Sequence, residues 1–247
     1  MSAVNHARDR TVQSMFDRIS GRYDLLNSVI SFRLDSRWRR QVIKEVLNHP
    51  DPHILDIGTG TGDLVFAAVK TLSGKGKFVG LDFSLQMLRM AQAKRDNCLH
   101  RASTVFVMGS AMTVPFKSNT FNGAMSAFVL RNVSDLSLLF AEAFRTLKPG
   151  GKFVSLDMFP PSATWFSPLY SIYFHCFMPR IGALLARDRD AYQYLSDSVR
   201  QFHPPEKIVQ FIEQAGFEQV AVRKFLSGAV CMHIASKPDR QYEDPKI

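Results

Sequence analysis

Apolar residues along the chain switch repeatedly between a period near 3.6 and short runs that read as strands, and this alternation predicts the architecture. Residues 11–30 read as one or two helices around a break at Gly21-Arg22. Residues 36–48 form an amphipathic helix with Trp38, Val42, Val46 and Leu47 on or near one side. Strands are then predicted at 53–57, 77–81, 104–108, 121–128 and 152–157, with helices at 63–72, 84–95 and 136–147 between them. Ser84 is the N-cap of the second of these helices, and Lys148-Pro149-Gly150-Gly151 stops the third. A helix at 205–215 and strands at 218–225 and 230–236 close the chain, the last two joined by Ser227-Gly228 as an antiparallel edge hairpin. Strands alternating with helices imply an α/β fold: a seven-stranded, mostly parallel sheet with helices on both faces.

One strand ends oddly. In "SAFVLRN" (126–132) an apolar run finishes in Arg131 and Asn132, and a guanidinium at the end of a buried strand costs free energy unless something needs it. Its plain explanation is a strand-end ion pair, for which Asp135 is the nearest acid.

The motif "ILDIGTGTGD" (54–63) runs a buried strand through Asp56 into Gly58, Gly60 and Gly62, with a helix immediately after. Glycines there let the backbone turn sharply and approach a ligand, and the helix N-terminus offers free N–H groups. The spacing is GxGxG, not the GxGxxG of dinucleotide folds, which disfavours a nicotinamide oxidoreductase. Asp82, twenty residues past Gly62 at the end of the next strand, can accept from both hydroxyls of a ribose. Asp63 suits a neighbouring cationic amino group better than two phosphates. S-adenosylmethionine has that ribose and that amino group and no pyrophosphate. Within "GLDFSLQMLRMA" (80–91), Phe83 follows Asp82, and Met87 stands one turn into the next helix, where a thioether can cover an adenine face.

Composition adds constraints. The 247 residues carry 31 Lys and Arg against 22 Asp and Glu, a formal charge of +9, concentrated early in Arg8, Arg10, Arg18, Arg22, Arg33, Arg37, Arg39 and Arg40. That balance fits a solvated helical face or an anionic surface such as a membrane. Cys98, Cys176 and Cys231 show no disulfide or metal spacing, so a reducing compartment is expected, with no metal. The N-terminus MSAVNHARDR lacks the apolar core of a signal peptide. Residues 158–179, the longest stretch free of Lys, Arg, Asp and Glu, include four prolines with Ser, Thr and His, and read as an apolar insertion rather than a membrane span.

Together, the glycine loop, Asp82 and "RTLKPGGKF" (145–153) resemble the class I methyltransferase fold, which is Rossmann-like. "YDLLNSVISFRLDSRW" (23–38), "LRNV" (130–133) and "YQYLSDSVRQF" (192–202) resemble, more specifically, the ubiquinone/menaquinone C-methyltransferase family, over about 16–237. The resemblance implies methyl transfer from S-adenosylmethionine to a ring carbon of a prenylated quinol. It also implies a cytoplasmic enzyme, peripheral at the inner face of a membrane (or in a matrix or plastid), compatible with a homodimer and not with a nucleic-acid partner. It implies one domain over 1–247: a helical lid segment (1–50), a cofactor core (51–157), an aromatic-rich insertion over the substrate site (158–203), a final helix with edge strands (204–237) and a tail (238–247). Carried over residue by residue, Tyr23, Asp24 and Asn27 match the segment that closes over the site, Gly58, Gly60 and Asp82 match the cofactor positions, and Arg131 and Asn132 match the polar pair that faces the quinone head group. Asp56, Gly62, Phe83, Met87, Ser110 and Ala111 are further cofactor-binding candidates beside them, and Tyr23 is a catalytic candidate that can hydrogen-bond a substrate oxygen.

The chain departs from the family pattern at four places. Asp35 stands where a histidine is usual, with Arg33 before it in place of a small residue. Ser110 replaces an acid that would accept from the adenine amine. Val129 replaces a glycine and narrows the pocket, and Asn122 replaces an acid. His175, His203 and His233 are further candidate bases, each more simply read as packing or surface. Phe159, Trp165, Phe166, Tyr170, Tyr173, Phe174 and Phe177 suit either a greasy substrate channel at a membrane or a helical core. A methyltransferase of another aromatic or lipidic small molecule, and a non-catalytic scaffold of a quinone-biosynthesis assembly, are the competing readings. A nucleic-acid methyltransferase would need an Asn/Asp-Pro-Pro-Tyr strand end where this chain has Leu-Arg-Asn.

Overall fold

Seven short apolar runs form one sheet. The computed structural model describes residues 3–24, 28, 31, 33–47, 49–160 and 189–239. The strands are β1 (His53–Ile57), β2 (Lys77–Asp82), β3 (Thr104–Met108), β4 (Phe121–Ala127), β5 (Leu147–Met158), β6 (Glu218–Phe225) and β7 (Val230–Ser236). Their order is β3-β2-β1-β4-β5-β7-β6. The pairs from β3 to β5 are parallel, and β7 runs antiparallel to both β5 and β6. The strand order reverses between β1 and β4, and open α/β sheets bind their ligands at the carboxyl end of such a reversal.

The helices are α1 (Ala3–Ile19), α2 (Asp35–Val46), α3 (Asp63–Thr71), α4 (Leu85–Asp96), α5 (Leu136–Thr146), α6 (Arg189–Arg200) and α7 (Pro205–Gln214). The central strands are buried on both faces, whereas the edge strands β3 and β6 are largely exposed or half-buried. Leu55 and Ile57 of β1 join a core with Leu139, Phe140 and Ala143 of α5 and Ile208 and Ile212 of α7. Ile54, on the opposite face of the same strand, joins Val42 and Val46 of α2 and Val65 and Val69 of α3. Side chains spaced three or four apart on each helix supply these contacts, and each fully buried one contributes about 1.5–3 kcal/mol.

Several boundaries differ from expectation: the first helix begins at Ala3 rather than near 11, and two further differences have a clear cause. Lys148-Pro149-Gly150-Gly151 ends α5 but does not delay the strand: β5 begins at Leu147, opposite Phe121, and continues through a register shift. Gly150 (φ +72) lets the chain bend there, and its N–H donates to the Lys237 carbonyl (3.0 Å) while the Lys237 N–H donates to that of Gly151 (2.8 Å). β4 stops at Ala127, one residue short of the predicted end, because Phe128 adopts φ +64 and turns the chain out of the sheet. "LRN" is therefore a 3-10 turn (Leu130–Asn132) beyond the strand, not its last residues.

Candidate active site

At the sheet reversal, the backbone between β1 and α3 is pinned to β2: the Gly58 and Thr59 N–H groups both donate to the Leu81 carbonyl (2.8 and 2.9 Å). Gly58 holds φ +72, and a Cβ there would lie 2.4 Å from a Val129 methyl, so glycine is required on both counts. Asp82 closes the loop from the other side. Its carboxylate accepts the N–H of Gly60 (2.7 Å) and of Ser84 (2.9 Å). Burial pushes its pKa up, and those two N–H donors oppose the shift.

A pocket opens above these residues. Gly58, Gly60, Asp82, Phe83 and Met87 form one side, Ser110, Ala111 and Met112 another. Phe128, Val129, Asn132 and Val133 line the end nearest the 3-10 turn, and Asp9, Phe16 and Tyr23 from the N-terminal segment form the roof. The roof rests on polar contacts: the Gln13 amide donates to the Phe83 carbonyl (2.6 Å), the Ser84 hydroxyl to Asp17 (2.5 Å) and the Ser134 hydroxyl to Asp9 (3.2 Å). The Ser110 oxygen accepts the Met112 N–H (3.1 Å), which fixes the turn after β3.

Gly62 and Asp56 stand outside this pocket. Gly62 (φ +83) is the N-cap of α3, and a Cβ there would meet Phe66 and Phe106. Asp56 accepts the Thr59 hydroxyl (2.7 Å) and lines an adjoining recess with Tyr23, Arg39, Gly58 and Gly60. Burial raises the Asp56 carboxyl to about 7, against the Thr59 hydrogen bond and the charge of Arg39. Arg39 is itself buried, and its Nε has no hydrogen-bond partner; Asp35 lies 3.6 Å away, and the guanidinium sits 5.5 Å from the centre of the Phe128 ring.

Arg131 is placed differently from expectation. It points away from the pocket and pairs with Asp157 at the end of β5, not with Asp135. Asp135 instead caps α5, accepting the Leu138 N–H (3.1 Å). Asp157 is fully buried and Arg131 nearly so, while Arg131 Nε, like Arg39 Nε, is a buried donor that makes no hydrogen bond. The Phe128 ring centre lies 6.0 Å from the Arg131 guanidinium carbon. Asn132 does line the pocket; its amide donates to the Phe128 carbonyl and its oxygen accepts the Tyr194 hydroxyl (both 3.2 Å).

Other expectations resolve on packing grounds. His233 is buried against Phe159, its Nε2 is 3.2 Å from the Pro205 carbonyl, and burial lowers its pKa to about 4, so it is a core residue. Phe159 is likewise core, packed against the Phe202 ring at a tilt of 38°. His203 lies by Phe211 and lines a separate polar cleft with Arg131 and Tyr194. The cation beside Asp63 is the Lys94 ammonium (2.6 Å). Asn27, Trp165, Phe166, Tyr170, Tyr173, Phe174, His175, Cys176 and Phe177 lie outside the described residues.

A family model described as the ubiE/COQ5 methyltransferase family matches residues 3–237. The chain belongs to this family. It is an S-adenosylmethionine-dependent methyltransferase. A demethylmenaquinone methyltransferase of Staphylococcus haemolyticus is 36% identical over 94% of this chain and 96% of its own. One of Bacillus cereus is 35% identical over 96% and 99%. Among solved structures, a SAM-dependent methyltransferase from Thermotoga maritima aligns at a TM-score of 0.63 over 92% of this chain and 99% of that one, with 19% identity. The [4+2]-cyclase SpnF aligns at 0.66 over 92% and 95%, with 14% identity. At such identities these structures speak for the fold alone, and SpnF shows how far its chemistry ranges.

The family's departures in this chain have structural counterparts. Asp35 opens α2, where a carboxylate favours the helix dipole, and accepts the Ser31 hydroxyl (2.8 Å). Asn122 accepts the His53 N–H (3.0 Å) and ties β4 to the start of β1. Val129 packs its methyls onto Gly58 and takes up space in the pocket.

Sequence reasoning missed Asp157, Arg39 and the roof residues Asp9 and Phe16. Asp157 carried a usable signal: it is an acid at the end of an apolar strand, the same anomaly that drew attention to Arg131.

Proposed function

We propose that this enzyme methylates a ring carbon of a prenylated hydroquinone, demethylmenaquinol in the terms of its relatives' names. One observation carries the reading: Asp82, on the cofactor side, and Asn132, on the side matching the family's quinone positions, line the same pocket. Non-enzymatic scaffolding gives no reason for that convergence.

The residues present fit the cofactor. Asp82 keeps lone pairs for ribose hydroxyls after accepting two N–H groups. Phe83 and Met87 offer apolar surface to an adenine, and Ser110 and Ala111 lie across from them. The recess beneath the glycine loop holds an acid, Asp56, suited to an ammonium, and a buried guanidinium, Arg39, whose Nε makes no hydrogen bond and has Asp35 at 3.6 Å, suited to a carboxylate. Those are the two charges of an amino-acid end. When bound, S-adenosylmethionine supplies a sulfonium methyl group ready for transfer.

The chain's own task is to hold the quinol and manage its proton. A hydroquinone carbon becomes nucleophilic as the neighbouring oxygen loses its proton and negative charge spreads into the ring. Arginine stays protonated, so Arg131 cannot take that proton; paired with Asp157 outside the pocket, it positions the Leu130–Asn132 turn that brings Asn132 to the substrate. Asn132 lines the pocket beside the turn, and Tyr23 lines it from the roof. Water carries the proton away. Prenylated quinols reside in bilayers, so the enzyme works at a membrane surface; among the described residues no helix is long and apolar enough to cross one.

Mass spectrometry of the quinone pool in cells with and without the gene tests the reading. Loss of the gene should accumulate a precursor lighter by one methyl group, restored by the intact gene. An unchanged pool would sink the assignment. Titration with S-adenosylhomocysteine separates the scaffold alternative, which predicts no binding.

A further inference from the structure

Lys94 has no part in the site described above, yet it stands where three segments meet. It projects from α4, and its ammonium lies 2.6 Å from Asp24 Oδ2, 2.6 Å from Asp63 Oδ1 and 3.0 Å from the Thr61 hydroxyl. Thr61 in turn donates to Asp24 Oδ1 (2.5 Å). Asp24 follows Tyr23 in the segment that roofs the pocket, while Thr61 and Asp63 belong to the glycine loop and the first turn of α3.

We propose that Lys94 is a latch, tying the roof to the glycine loop, and that its release is the opening step through which cofactor and product exchange. Two carboxylates from separate segments share one ammonium, so without it their negative charges repel and the roof loses its tie. The surroundings suit a contact that must open. The Lys94 side chain is 31% exposed, so the pairs form and break in contact with water and are screened by salt. Elsewhere the contacts of the roof helix α1 include the polar ones to Phe83, Ser84 and Ser134, with Val12 and Met15 as its buried apolar residues among those described. Few buried apolar contacts mean a low cost of local opening. Lys94 lines neither the pocket nor the recess; it is a positioning residue, acting through Asp24 and the loop. Naming the occupant rests on the cofactor reading given above, whereas the latch itself does not.

Limited trypsin digestion of the ligand-free protein, with cuts at Arg18 and Arg22 followed by fragment mass, reads roof opening directly. Lys94→Met keeps the stem and removes the charge; it should be cut about fivefold faster than the parent, the scale of a part-exposed ion pair. Lys94→Arg should restore much of the protection, and high salt should raise the parent's rate towards that of Lys94→Met. Equal rates for the parent and Lys94→Met would overturn the latch. If Lys94→Met is cut throughout the core, Asp24→Asn decides instead: faster cutting confined to the roof supports the latch, and an unchanged rate overturns it. In the same assay S-adenosylhomocysteine should slow cutting of the parent. Failure of that protection alone would count against the cofactor reading and leave the latch standing.

Discussion

Arg131 carries its charge into a site that is 7% exposed, and Asp157 meets it at a site with no exposure at all. Removing one partner strands the other without compensation, which costs about 3–5 kcal/mol; replacing both with apolar residues of similar volume is often neutral. A simple Arg131→Ala variant would therefore confuse loss of chemistry with loss of fold. The double variant Arg131→Met/Asp157→Leu separates them. It should melt within a few degrees of the parent while either single change melts far lower, and it should still fail to turn over. A double variant that retains turnover would make Arg131 a structural residue. The sequence exposed Arg131 because a guanidinium after an apolar run is conspicuous. It did not show the pairing, since Asp157, although itself an acid at the end of an apolar strand, is 26 positions away and meets Arg131 only because β4 and β5 are neighbours in register.

At the scale of elements, Ser84 joins the pocket to its roof. As the N-cap of α4 it accepts the Met87 N–H (3.2 Å), and its own proton goes to Asp17 of α1. Ser84→Ala removes both bonds and should destabilise the protein by about 1 kcal/mol through the lost cap alone. It should also weaken S-adenosylhomocysteine binding, because Met87 and Phe83 lose their anchor. Thermal melting and calorimetric titration check the two effects, and a variant matching the parent in both would show that α1 docks independently of this bond. The cap was legible in the sequence, as were the strands, since each buried run of the parallel sheet is bounded by turn residues. The course of the chain at "LRN" and "KPGG" was not. Phe128 turns out of β4 at a positive φ that its residue type disfavours, and the glycines bend β5 rather than precede it. Both outcomes follow from pairing between strands, which local pattern does not record.

For the whole molecule, two buried groups give acid stability opposite slopes. His233 has a folded pKa of about 4 against 6.5, so it favours folding fully above pH 6.5, and that contribution, about 3 kcal/mol, is lost as pH falls to 4. Asp56 has a folded pKa of about 7 against 3.8, so its contribution is full below pH 3.8 and is lost as pH rises through 7. Asp82, also raised by burial, acts in the same direction as Asp56. Urea midpoints measured from pH 8 to pH 4 should show it: His233→Phe gains stability relative to the parent as pH falls, and Asp56→Asn loses it. Parallel curves for parent and variants would mean that neither group keeps its buried protonation state. None of this was visible beforehand, because His233 and Asp56 differ from surface residues of the same type only in what surrounds them.

The position of β7 has a consequence for how the polypeptide is made. The last strand among the described residues, β7, inserts between β5 and β6, so β5 has an open edge until residues 230–236 emerge from the ribosome. The half of the sheet bearing the glycine loop and Asp82 is synthesised first, with its own strand order complete from β3 to β4. A nascent chain stalled before residue 230 would thus display a finished nucleotide-side half beside an unpaired strand, a natural target for chaperones during translation.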